Sequence, residues 1–187
     1  MATEPITVAE AARHLGVASD DPGYADLSVV ITAARQYVEQ FLDASVAVQE
    51  RVLTLDSFGS GGAICLPNGP VLSITSVQYV DSDGATQTLS SALYQLTNYP
   101  FIDYLTPAYG TSWPTTRSVP GAVTITYQAG MMTGSPLTLP YEDIRSAIKL
   151  VLGDLWALRE TQVTGTIISV SKTAENLLHF YRRGLGV

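Results

Sequence analysis

Apolar and polar positions at the start of the chain repeat with a helical period. Val8, Ala11, Ala12 and Leu15 share one face of a short helix. Thr7 stands just before them, with Glu10 three residues on, so the Thr7 hydroxyl is placed to accept from the Glu10 amide while the Glu10 carboxylate reaches back. Gly16 supplies the stop. After the turn cluster Asp20-Asp21-Pro22-Gly23, residues 25–43 place Leu27, Val30, Ile31, Ala34, Val38, Phe41 and Leu42 three and four apart. That spacing predicts a longer amphipathic helix whose exposed face presents Asp26, Arg35 and Glu39.

The period changes near residue 46. Val46, Val48, Val52, Leu53 and Leu55 begin a strand-like stretch closed by Gly59-Ser60-Gly61-Gly62. Residues 63–66 form a short apolar strand stopped by Pro67-Asn68-Gly69-Pro70. Ile74, Val77, Tyr79 and Val80 run into Asp81-Ser82-Asp83-Gly84, a hairpin turn, with residues 86–89 as the returning arm. Strands follow at 94–96 and at 123–127, where Val123, Ile125 and Tyr127 alternate with Thr124 and Thr126. The Pro-, Tyr- and Thr-rich stretch 99–120 reads as a long loop. Helical spacing returns after Pro140, with Ile144, Ala147, Ile148, Val151, Leu152, Leu155 and Trp156 reaching Arg159-Glu160. Residues 163–171, β-branched and Ser/Thr-rich, read as extended or loop. Residues 173–182 form a last helix with Ala174, Leu177, Leu178 and Tyr181 on one side. The expected class is α+β, a core of about four helices with an inserted small antiparallel β domain. Residues 1–45 and 139–187 form the helical parts, and residues 46–130 the insert.

Charge sharpens this division. Only 14% of the 187 residues are charged, against about 25% in an ordinary domain. The deficit is local: residues 57–140 carry three acids and one base, residues 1–56 nine acids and three bases, and residues 141–187 five acids and six bases. A formal net charge of -7 argues against binding DNA by phosphate neutralisation. No apolar run approaches the roughly 20 residues of a membrane span, so no membrane partner is expected. The first residues show neither the basic nor the apolar segment of a signal peptide. The single Cys65 excludes an internal disulfide framework and fits a reducing compartment.

Candidate chemistry is sparse. His14 and His179 have no Cys or carboxylate at ligand spacing, so neither a metal nor a cofactor is expected. Cys65, between Ile64 and Leu66, reads as a buried thiol with nothing cationic nearby to activate it. Gly59-Ser60-Gly61-Gly62 lacks the Gly-Lys-Ser/Thr ending of a phosphate loop. Asp81-Ser82-Asp83-Gly84 lacks the frame of a calcium loop. No nucleophile elbow is present. The aromatics Tyr99, Phe101, Tyr104, Tyr109 and Trp113 suit loop packing or a partner contact, with a carbohydrate- or peptide-stacking platform on a helical stalk as the alternative. A structural or interaction protein is expected, not an enzyme.

The order of elements carries a resemblance. Leu72-Ser73-Ile74-Thr75-Ser76-Val77 leading to Asp83-Gly84, and Pro120-Gly121-Ala122-Val123 leading to Ala129-Gly130, lie between a capped short helix with a long amphipathic one and a Pro-initiated helix. This pattern resembles the head–tail connector (adaptor, or head-completion) proteins of long-tailed bacteriophages over roughly residues 5–162. The resemblance implies a virion protein made in the host cytoplasm, without enzymatic activity or cofactor. It implies a homo-oligomeric ring, twelve-fold, that docks under the portal protein, passes DNA without sequence preference and carries the stopper or tail-completion protein. In that setting Asp20, Asp26, Glu39 and Asp43 are the expected channel-facing acids. Lys172, His179, Tyr181, Arg182 and Arg183 are the expected portal contacts, and the aromatic stretch 99–113 is the expected partner-facing loop.

Overall fold

The structure, a computed structural model, describes residues 3–100, 102–157 and 172–183. The chain divides into two compact units, Met1–Ala47 with Met131–Arg182 and Val48–Gly130 with Arg183–Val187. The class is α+β, with four α-helices and two antiparallel sheets among the described residues.

The helical unit contains α1 (Val8–Leu15), α2 (Leu27–Leu42), α3 (Glu142–Ala157) and α4 (Lys172–Leu178). The capping box forms as the sequence predicts: Glu10 N–H donates to Thr7 Oγ1 at 3.1 Å, and Thr7 N–H donates to Glu10 Oε2 at 2.9 Å. Those bonds pull the Glu10 carboxyl below its usual range, the Thr7 amide contributing most. The other oxygen of the same carboxylate accepts from Arg145 Nη2 at 2.6 Å, which ties α1 to α3. Gly16 closes α1 at φ 69°, a conformation that costs a side-chain-bearing residue about 1 kcal/mol or more. Leu27, Ile31, Ala34, Val38 and Leu42 of α2 are buried, as are Ile144, Ala147, Ile148 and Leu152 of α3. Ala174 and Leu178 of α4 complete this core. The run expected to continue α3 to Arg159-Glu160 and the extended stretch 163–171 lie outside the described residues.

One expectation for α2 is reversed. Arg35 and Glu39, which helical spacing places on the solvent side, are 5% and 6% exposed. Arg35 Nη1 donates to Glu39 Oε2 at 2.7 Å, and Arg35 Nε donates to Glu4 Oε2 at 2.8 Å. Glu39 Oε1 also accepts the backbone N–H groups of Val46 and Ala47 at 2.8 and 3.1 Å. The buried charges thus hold the residues that follow the helix as well as each other, which offsets their desolvation.

The sheet unit holds β1 (Gln49–Leu55), β2 (Ile64–Leu66), β3 (Val71–Val80), β4 (Thr86–Thr88), β5 (Tyr94–Asn98), β6 (Asp103–Pro107) and β7 (Val123–Ala129). One sheet runs β1-β7-β3-β4 and the other β2-β6-β5, every pairing antiparallel. Val123, Ile125, Tyr127 and Ala129 of β7 point inward at every second position and meet Phe58, Ile64, Leu66, Val71, Val77, Leu89 and Leu105 in one apolar cluster. The Asp81–Gly84 hairpin is present: Asp81 accepts from the amides of Asp83 and Ala85. Strand β6 falls inside the stretch expected to be loop. Its Asp and Pro are poor strand formers, and pairing on both sides, with β2 and β5, imposes the extended conformation.

Replacement of Glu39 by Ala strands the Arg35 guanidinium against Glu4 alone and leaves two buried amides without their carboxylate. The expected cost is about 3–5 kcal/mol, read as a lower urea midpoint with unchanged m-value.

Candidate functional site

In the helical unit, Asp20, Asp26 and Asp43 are exposed. Asp26 stands at the N-terminus of α2, where a carboxylate complements the helix dipole. Asp43 closes the helix at φ 52°. Glu39 does not join them, because Arg35 and the Val46 and Ala47 amides hold it inside.

The C-terminal candidates separate in the same way. Lys172, His179 and Arg182 are exposed, and the Arg182 guanidinium lies 5.6 Å from the Phe41 ring centroid. Tyr181 is half-buried; its hydroxyl donates to Asp143 Oδ2 at 3.1 Å, and its ring meets Tyr141 edge-on. That hydrogen bond to a carboxylate raises the Tyr181 phenol above its ordinary value. Arg183 belongs to the sheet unit and is buried there. Its Nη2 donates to Asp103 Oδ2 at 2.8 Å, and the same oxygen accepts the Val71 amide at 3.0 Å. Asp103 Oδ1 accepts from Asn98 Nδ2 at 2.9 Å, and Asn98 also donates to Val71 O. Asp103 is 1% exposed, and these donors offset the cost of burying its carboxyl group. A Cβ at Gly69 would strike the Asp103 carboxylate, so the turn at that point requires glycine. Neither Arg183 nor Asp103 is therefore an exposed contact residue of the unit.

The aromatic stretch divides too. Trp113, for which loop packing or a partner contact is expected, packs: it stacks on Phe58 with ring centroids 4.7 Å apart and donates Nε1–H to Gly62 O at 2.9 Å. It covers the core of the sheet unit. Tyr99 and Tyr109 are exposed, and Tyr104 is half-buried, edge-on to Tyr99 with centroids 6.1 Å apart. Phe101 lies outside the described residues. Tyr99, Tyr104, Ile102, Thr97, Gln95 and Thr106 line an open groove of about 660 Å³ on the β5–β6 surface, and no charged residue takes part in it. Cys65, expected to be buried, is exposed because it is the outward member of the alternation Ile64-Cys65-Leu66. No group of three or more His, Cys, Asp or Glu suited to a metal occurs among the described residues.

No family model matches the sequence, and no curated protein matches it either. Solved structures do match in three dimensions. A chain of the neck of an empty gene transfer agent (GTA) particle, computed with C6 symmetry, has a TM-score of 0.78 at 21% identity and covers 98% of this chain and 92% of its own. The chain has the fold of a GTA neck chain. A chain of the native GTA virion gives a TM-score of 0.75 at 21% identity, covering 98% and 92%. A chain of the native GTA neck computed with C12 symmetry gives 0.75 at 21% identity, covering 100% and 97%. The matched length takes in both units of this chain.

Burial pushes the Tyr127 phenol up to about 12 from 10.0, with the nearby Asp103 carboxylate adding to it, and the hydroxyl donates to Pro67 O at 2.8 Å. The folded chain therefore keeps a proton that the unfolded chain releases above pH 10. The stabilisation is complete below that pH and is lost as pH rises to about 12. Tyr127→Phe should flatten the loss of stability over that alkaline window, and cost about 1 kcal/mol at neutral pH for the missing hydrogen bond. Urea unfolding at a series of pH values measures both.

Proposed function

We infer that this chain is a structural, non-enzymatic subunit of a head–tail neck. Twelve copies form a ring under the portal, pass DNA through the lumen and carry the stopper or tail-completion protein. The observation that carries this reading is the match of both units, over 98–100% of the chain, to chains of GTA neck and virion structures. A neck computed with C12 symmetry among them supports the twelve-fold count. The connector-like order of helices, hairpin and Pro-Gly-Ala-Val strand supports the same assignment from the sequence.

The chemistry of the surfaces fits this role. Asp20, Asp26 and Asp43 are exposed carboxylates that form no ion pair among the described residues, suited to a lumen wall that repels phosphate and so lets DNA slide. The charge-free groove at Tyr99 and Tyr104 suits the protein that docks next, since interfaces favour Tyr and disfavour Lys and Glu.

Light scattering and negative-stain microscopy of the pure chain, alone and mixed with the portal protein of its particle, test the ring. Twelve-fold rings, free or seated on the portal, are the expected result, and a monomer under both conditions refutes the reading. For the lumen, Asp20→Lys/Asp26→Lys/Asp43→Lys should convert a ring that ignores DNA into one that retains it on a filter at low salt. Retention should vanish as salt rises, because each phosphate contact adds about 0.9 to the salt slope.

A further inference from the structure

Helix α2 wears its charges on the wrong side for a solvated helix. Arg35 and Glu39, its only charged residues, are buried, and its exposed positions are Ser28, Val29, Ala33, Gln36, Tyr37 and Gln40. Val29 is 69% exposed. Beside this face lies a groove of about 790 Å³, lined among others by Ile6, Val8, Val29, Thr32, Ala33 and Gln36. The charged atoms that reach it belong to Glu4 and Arg35, whose side chains are 27% and 6% exposed. The groove therefore shows solvent a carboxylate and very little guanidinium. It is apolar with an acidic edge.

The same helical unit carries a surface of opposite character. Phe180, in the single turn His179–Tyr181 after α4, is 84% exposed. His179 and Arg182 flank it in the chain and are exposed, and the one acid of α4, Glu175, accepts a hydrogen bond from Tyr37. This is an apolar knob with the Arg182 guanidinium two residues on. A hole and a knob on different parts of one chain, complementary in polarity and in charge, define a heterologous contact, the kind that closes into a ring when repeated.

We propose that Phe180 of one copy seats in the α2 groove of the next, with Arg182 beside Glu4. The inference rests on the ring reading above and names its contact surfaces; it assigns Phe180 and Arg182 to a second copy of this chain and leaves other surfaces for the portal. A buried aromatic flanked by an arginine has the composition of an interface hot spot. The carboxylate-to-cation attraction makes the contact salt-sensitive.

Cysteine pairing tests it in the full-length chain, with Cys65→Ser as background so that the exposed native thiol does not intervene. Chains carrying Val29→Cys alone and Phe180→Cys alone, mixed and oxidised, should give a mixed disulfide dimer about tenfold above either chain by itself, less at high salt. A chain bearing both substitutions should give a ladder of multimers. Phe180→Ala, at an exposed position, should keep the thermal midpoint and raise the concentration needed for assembly about tenfold or more. Rings that form with undiminished affinity in Phe180→Ala and without the Val29–Phe180 disulfide would overturn this contact and leave the ring standing. A chain that stays monomeric alone and on the portal, without the mixed disulfide, would overturn both.

Discussion

The helical unit depends on one buried guanidinium, Arg35, held between the buried Glu39 carboxylate and the half-buried Glu4. Glu39 reaches on from the last turn of α2 to hold the amides of Val46 and Ala47, while Arg35 holds Glu39 on one side and Glu4 on the other. The N-terminal segment, the helix and the residues that leave it are thereby fixed to a common point. Apolar burial along Leu27, Ile31, Ala34 and Val38 provides the larger share of stabilisation. It does not by itself select where a chain enters and leaves a helix, because apolar contact is not directional. The charged cluster does, since each oxygen accepts only along a few directions.

That placement has a consequence for the surface. A helix that keeps its charges inside has none to show outside, and α2 faces solvent through Ser, Val, Ala, Gln and Tyr. Such a face exposes apolar area without the solvation that Lys and Glu bring, and a neighbouring molecule is the usual remedy. The sheet unit uses the same device. Asp103 is held inside by Arg183, Asn98 and the Val71 amide, and the outer surface of β5 and β6 presents Tyr, Thr and Gln. The low charge content is thus partly a matter of location: some of the few charges present are spent in the interior.

Much of this architecture is legible along the chain. The Thr7–Glu10 box, the Gly16 stop, the α2 and α3 stripes, the Asp81–Gly84 hairpin and the β7 alternation are all local patterns, and each forms where its residues predict. Glu39 and Cys65 depart from expectation for local reasons: Glu39 holds the Val46 and Ala47 amides, and Cys65 is the outward member of its strand's alternation. Arg35 and Arg183 depart because their partners come from segments far along the chain, and Trp113 packs against such a segment too. Glu4 lies 31 residues from Arg35, Asp103 lies 80 from Arg183, and Gly62 lies 51 from Trp113. Strand β6 belongs with them, as its partners β2 and β5 are separate segments. Of the candidate surfaces, the acids at 20, 26 and 43 and the tyrosines at 99 and 109 lie exposed.

The α+β class, the helical periods, the hairpin and the concentration of acids in the first part and of neutral polar residues in the middle can all be read along the chain. Those properties follow from spacing and composition, which every residue carries whatever it touches. Only the tertiary structure decided which charges are interior and which aromatic is core. Burial of a charge becomes tolerable when donors and acceptors from distant segments converge on it, and that convergence exists only once the chain has folded.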